Sequence, residues 1–223
     1  LLGTTIDSVL LRALLKDPTQ VGYYNAGIRI PKMLETMLIA PLSVPFLYYF
    51  SHPETSQSRE KILEFGSKML GIVCGVISLF LFSFAKEIIL LLFGQSYSKS
   101  IPVLRIFSLI LFIIGFIILF SPYFTSLNKP SIVVLAGVIT IISMFILNLL
   151  LIPRLKSIGP AVSTVLGLII QALILLYLLS KHKVMDFRNF ILLSFCIVVA
   201  VASGFYFSFY ITLPIFIVFV LAT

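Results

Sequence analysis

Two stretches of this chain, residues 131–153 and 158–180, each run for more than twenty residues without one charged side chain. Few sequence features constrain a fold more. A hydrocarbon layer about 30 Å thick is crossed by about 20 residues of helix. Lipid offers no partner to a backbone N–H or C=O, so a crossing segment bonds internally as a helix or closes into a barrel. Long apolar runs without strict alternation point to helices. Runs at 22–50, 62–85, 103–127 and 189–208 read the same way, with a first segment at 1–15 and a last one starting near 210. The loops between them, such as "KDPTQ", "SHPETSQSREK" and "SKHKVMDFR", are short. One stretch, "KEIILLLFGQSYSKSIP", has an apolar part too short to cross, and is expected to form an interfacial or tucked helix followed by a loop.

Composition supports this class. Charged residues make up 11% of the chain and the mean hydropathy is +1.18, whereas soluble domains carry about 25% charged residues. The expected fold is therefore an all-α integral membrane protein of the cell membrane, a multi-pass bundle of about eight transmembrane helices. The chain begins Leu1-Leu2-Gly3 and ends inside "LPIFIVFVLAT", so both ends read as cut from a longer protein, the last helix incomplete.

The net charge is +8. It sits in loops, where it fits anionic headgroups rather than nucleic acid. Placing the 51–61 loop on side one puts Lys129, Lys181, Lys183 and Arg188 there with Arg59, Lys61 and Lys68. Side two holds Lys16, Lys86, Lys99, Arg154 and Lys156, with Arg12 and Arg105 near span ends. The balance leans toward side one as the cytoplasmic face. The two cysteines, Cys74 and Cys196, lie in apolar spans and read as packing residues. His52 and His182 have no metal-ligand spacing, and no phosphate loop or nucleophile elbow is present, so neither metal nor cofactor nor enzymatic activity is expected.

Small residues recur at helical spacing in three segments: Ser67, Gly71 and Gly75; Ser163 and Gly167 with Gln171; and Ala200, Gly204 and Ser208. Such stripes let helices approach closely in lipid. Gly137, Thr140 and Asn148 share a face of another segment, where an Asn is expected to bond between helices.

One segment breaks the pattern. "NAGIRIPKMLETM", residues 25–37, sets Arg29, Lys32 and Glu35 inside an apolar run, with Pro31 among them and Pro41 and Pro45 beyond. At about 100° per residue, Asn25, Arg29, Lys32 and Thr36 fall within roughly 60° of one another, with Glu35 at the border. A charge at the bilayer centre costs about 2.5–3.5 kcal/mol on insertion scales. Three arrangements answer that cost: snorkelling to headgroups, an internal pair between Glu35 and Lys32 or Arg29, or a hydrated cavity with a cationic wall. The prolines favour the cavity, because broken helices are tolerated where water or protein takes up the freed carbonyls. Asp7, on the preceding segment, is expected to pair with Arg29 or Lys32.

Three stretches resemble a known family. "TTIDSVLLRALLKDPTQVGYYNAGIRI", "EIILLLFGQSYSKSIPVLRIFSL" and "NLLLIPRLKSIGPAVSTVLG" are similar, in order and spacing, to polysaccharide and lipid-linked oligosaccharide flippases. These form the polysaccharide-transport branch of the multidrug/oligosaccharidyl-lipid/polysaccharide exporter superfamily. Gly159-Pro160-Ala161 stands where that family has Gly-Ala-Ala, at a helix start that accepts proline. The resemblance implies a transporter of fourteen helices in two lobes forming a V around a cavity, of which this chain would be the C-terminal half. Residues 1–183 would be the six-helix lobe and 184–223 two trailing helices, the missing N-terminal lobe being the partner. It also implies a lipid-linked sugar as substrate, carried between leaflets by alternating access. Arg29 and Lys32 would then bind its anionic headgroup, with Asn25 and Thr36 as substrate contacts and Asp7 and Glu35 as gating ion pairs. The alternative is an ion-coupled multidrug exporter of the same superfamily, which would favour acids over bases in the cavity.

Overall fold

The computed structural model describes residues 2–52 and 59–181. The expected spans at 189–208 and beyond 210, the unit 184–223, His182, Cys196 and the Ala200 stripe lie outside the described residues. Helix α1 covers Leu2–Leu15 and α2 covers Pro18–Leu34. A π-helical turn, Glu35–Ile39, and a 3-10 turn, Ala40–Leu42, then lead into α3, Ser43–Ser51. Helix α4 spans Arg59–Ser83, and the short α5, Ala85–Phe93, is followed by a 3-10 segment, Gln95–Ser100. Helices α6, Ile101–Ser126, α7, Pro130–Leu155, and α8, Ile158–Lys181, complete the described fold. No strand occurs among the described residues.

Five helical stretches are long and apolar enough to cross a membrane: Pro18–Ser51, Arg59–Ser83, Gln95–Ser126, Pro130–Leu155 and Ile158–Lys181. Four of them lie within a few residues of their expected positions; Gln95–Ser126 starts earlier because it takes in the 3-10 segment ahead of α6. The stretch Pro18–Ser51 begins earlier than the expected residue 22, because Asp17 caps it. Its carboxylate accepts from the Thr19 amide at 2.9 Å and the Thr19 hydroxyl at 2.6 Å, with Pro18 in the first turn. These bonds, the Thr19 hydroxyl first, hold the Asp17 carboxyl below its ordinary range.

The break in this long helix does not sit at Pro31, which is buried inside α2. It comes some turns later. Pro41 has no N–H to give, and just ahead of it the Ala40 N–H bonds five residues back, to the Glu35 carbonyl. The Ser43 N–H then reaches only to Ala40 and Pro41, tightening the next turn. Two hydroxyls take up backbone carbonyls here. Thr36 Oγ1 donates to the Lys32 and Met33 carbonyls at 2.9 and 3.1 Å, and Ser43 Oγ donates to Ala40 at 2.8 Å.

Helix α6 is the centre of the bundle, packed by α2, α3, α4 and α8. Phe112, Phe116, Phe120 and Phe124 run down it at four-residue spacing and are buried. Neighbouring rings in this row meet at 4.8 and 5.9 Å between centroids. The stripe Ser67, Gly71 and Gly75 is buried on α4, and Ser78 Oγ donates to the Ser108 carbonyl of α6 at 2.7 Å. Gly167 of α8 is buried against Met144 of α7. At Gly159 two backbones come close: an added Cβ would stand 2.9 Å from the Ile152 Cα and N.

Gly159→Ala should therefore push α7 and α8 apart and destabilise the fold by about 1–3 kcal/mol. Gly137, with nothing within 4 Å of an added Cβ, is the control, and its alanine variant should stay within about 0.5 kcal/mol. Thermal unfolding in detergent micelles distinguishes the two.

Candidate functional site

Two polar centres lie on the first two helices, one sealed and one open. The sealed one is built on Asp7, which is 1% exposed in the middle of α1. Tyr24 Oη donates to Asp7 Oδ2 at 2.9 Å and Asn148 Nδ2 donates to Oδ1 at 2.7 Å. Thr164 Oγ1 lies 3.2 Å from Oδ2 and 2.9 Å from its own helix's Pro160 carbonyl, so its single proton is shared between two acceptors. Asn148 Oδ1 is buried and has no hydrogen-bond donor among the described residues. Four helices, α1, α2, α7 and α8, thus converge on one carboxyl group. The cluster offers carboxylate, amide and hydroxyl oxygens, the hard donors suited to a proton or a small cation.

This corrects the expected pairing of Asp7 with Arg29 or Lys32. Helices α1 and α2 run antiparallel, and Asp7 is level with Tyr24. Arg29 lies five residues further on, roughly 7.5 Å along the axis and about 140° around it. Asn148 bonds between helices, as its type and place suggested. Tyr24 and Thr164 were not anticipated. Thr164 adjoins the small-residue stripe at Ser163, and that was the available signal.

The open centre is the stripe on α2. Asn25, Arg29 and Thr36 are exposed, and Lys32 and Glu35 are half-buried. The expected internal pair is between Glu35 and Lys32: Lys32 Nζ donates to both Glu35 oxygens at 2.8 Å. Asn25 Oδ1 accepts from Ser8 Oγ at 3.2 Å, which ties the stripe's upper end to α1 beside Asp7. The Thr36 proton is spent on its own helix, leaving its oxygen to accept. Arg29 has neither an ion pair nor a hydrogen bond among the described residues. Its planar fork of donors, the best match to phosphate oxygens that a side chain offers, is unspent. No group of three or more His, Cys, Asp or Glu side chains gathers as a metal site among the described residues.

Removing the Tyr24 hydroxyl takes a buried hydrogen bond from Asp7. Tyr24→Phe should lower stability by about 1.5–3 kcal/mol if the carboxyl is ionised and by about 1 kcal/mol if it is neutral. Asn25→Ala, on the exposed edge, should cost less. Chemical denaturation of both variants in micelles checks the ranking.

Comparison with known proteins places the fold. The profile of the family described as "Lipid II flippase MurJ" matches residues 1–222. Among solved structures, one titled "Lipid II flippase MurJ, inward closed conformation" superposes with a TM-score of 0.74 at 18% identity, covering 99% of this chain and 50% of that one. The chain thus spans about half the length of that protein. No curated protein matches it. The match is finer than the polysaccharide-transport branch suggested by the sequence motifs. Flippases of this family are transporters and not enzymes, and they are multi-pass proteins of the cell membrane, in keeping with five apolar spans here. By the family match over nearly its whole length, the chain belongs to the MurJ lipid II flippase family.

Proposed function

We propose that this chain is the C-terminal half of a two-lobe, fourteen-helix flippase that moves a lipid-linked precursor between leaflets by alternating access. Residues 1–183 would form the six-helix lobe and 184–223 two trailing helices. The family's description makes lipid II the first candidate substrate. The observation that carries the reading is Arg29: a permanently charged guanidinium, exposed on a membrane helix and without a partner among the described residues. Facing lipid, that charge would be costly. Facing a cavity between this lobe and a second one, it supplies the fork an anionic phosphate headgroup needs.

Lys32 has a different part in this reading. Its charge is held by Glu35, so it reaches substrate only when that pair opens, and the pair acts as a gate rather than as a standing ligand. Asn25 and Thr36 offer acceptor and donor groups to sugar hydroxyls alongside Arg29. Asp7 acts from behind the wall. Its cluster joins α1 to α2, α7 and α8, so loss or gain of a proton or cation there would shift the helix that bears Arg29. A multidrug exporter of cationic substrates would instead need an unpaired acid open to the cavity; Asp7 is sealed, and Glu35 is held by Lys32.

The test is complementation by the full-length protein in cells depleted of their own flippase, with membrane abundance as control. Arg29→Ala should reduce flipping about tenfold to a hundredfold, the worth of a charge-assisted bond. Arg29→Lys should rescue only in part, since a point charge cannot fork. Lys32→Ala should cost less than Arg29→Ala. Normal flipping by Arg29→Ala at normal abundance would sink the assignment.

A further inference from the structure

Helix α5 is nine residues long, about 13 Å, and too short to cross a bilayer. It lies outside all five crossing stretches. One side is anchored: Ala85 and Ile89 are fully buried against Leu104 of α6. The opposite side and tip are not covered. Leu91 is 86% exposed, the highest value among the described large hydrophobic residues, and Leu92 is 59% exposed. Polar groups flank this tip rather than oppose it. Lys86 and Glu87 sit at its base, and after the Gly94 turn, at φ +78, the chain becomes Gln95–Ser100 with Lys99 exposed.

Aromatic rings mark the level. Tyr97 meets the Tyr23 ring edge-on at 6.0 Å, and Lys99 Nζ lies 5.8 Å from the centre of that ring. Tyrosines with adjacent lysines collect at the boundary between headgroups and acyl chains. Helix α6 starts at Ile101 on the same side of the membrane as the α7–α8 turn at Lys156, and the two helices rise equally, each with 26 residues. The α5 hairpin therefore sits where those spans end.

We propose that α5 and its following turn are a membrane foot: Leu91 and Leu92 enter the acyl boundary of the side-two leaflet, while Lys86 and Lys99 contact anionic phospholipid headgroups. The occupant is lipid rather than protein. An uncovered leucine tip in water would forgo burial, whereas at this level the bilayer covers it with no further partner. Glu87 offsets part of the charge of Lys86, and the two lysines leave the foot net positive. Its function would be to fix the depth and tilt of the lobe, a role separate from substrate binding at Arg29.

The experiment uses the full-length protein in bilayers, with Cys74 and Cys196 replaced and a single fluorophore on Leu91→Cys or, as the water-facing control, Ser98→Cys. Phosphatidylcholine brominated near the headgroup should quench the label at 91 and aqueous iodide should not; the reverse is expected at 98. Quenching at 91 by iodide, or by neither agent, would place the tip in water or under protein and overturn the proposal. Lys86→Gln with Lys99→Gln should lower the preference for spin-labelled phosphatidylglycerol over phosphatidylcholine by about fivefold for each lysine. An unchanged preference would remove the headgroup contact.

Discussion

A carboxyl group in hydrocarbon has to find its donors inside the protein, and Asp7 finds them on three other helices. A buried acid left without donors would cost several kcal/mol, so the arrangement of α1, α2, α7 and α8 is tied to this one side chain. The constraint reaches the open centre too. With Tyr24 turned inward to Asp7, and Gly27 pressed so close to α6 that an added Cβ would stand 2.6 Å from Val103, the rotational phase of α2 is set. Asn25, Arg29 and Lys32 then face outward because Tyr24 and Gly27 face inward. The sealed cluster is what presents the exposed one.

The stripe is not a uniform polar face. Most of its members serve the helix they sit on. The Thr36 hydroxyl takes up carbonyls at the start of the π turn, Glu35 opens that turn and pairs back to Lys32, and Asn25 joins α2 to α1 through Ser8. Once these internal uses are subtracted, Arg29 is the residue whose bonding capacity is not spent within the described fold. Lys32 spends its charge on both Glu35 oxygens within one turn of the same helix, whereas the rigid donor fork of Arg29 has no such partner among the described residues.

The spans were legible because their signal is one-dimensional. Length and hydrocarbon content mark a crossing helix whatever it packs against, so α4, α6, α7 and α8 begin and end close to where their apolar runs do. The face of α2 was legible for the same reason, since helical period alone puts Asn25 and Arg29 together. What periodicity leaves out is which helix comes to meet that face. Thr164 stands 157 residues from Asp7 in the chain, and no local pattern connects them. The sequence offered three prolines as breakers but could not rank them. The register change falls just ahead of Pro41, while Pro31 is buried and α2 runs on through it.

Helices α7 and α2 each leave one face open, and the two faces differ in chemistry. In the most apolar stretch of α7, 17% of residues are buried, and its open face is Val134, Leu135, Ile141, Ile142, Phe145 and Ile146. Nothing on that face would object to acyl chains. The open face of α2 is built differently. It leaves Asn25 and Arg29 exposed, with Lys32 and Glu35 half-buried, while the other face of the helix buries Tyr24, Gly27 and Ile28. Set against acyl chains, that open face would carry the cost of its charges, and the π-helical turn that follows it adds irregular backbone, which is tolerated at membrane depth where protein or water takes up its carbonyls.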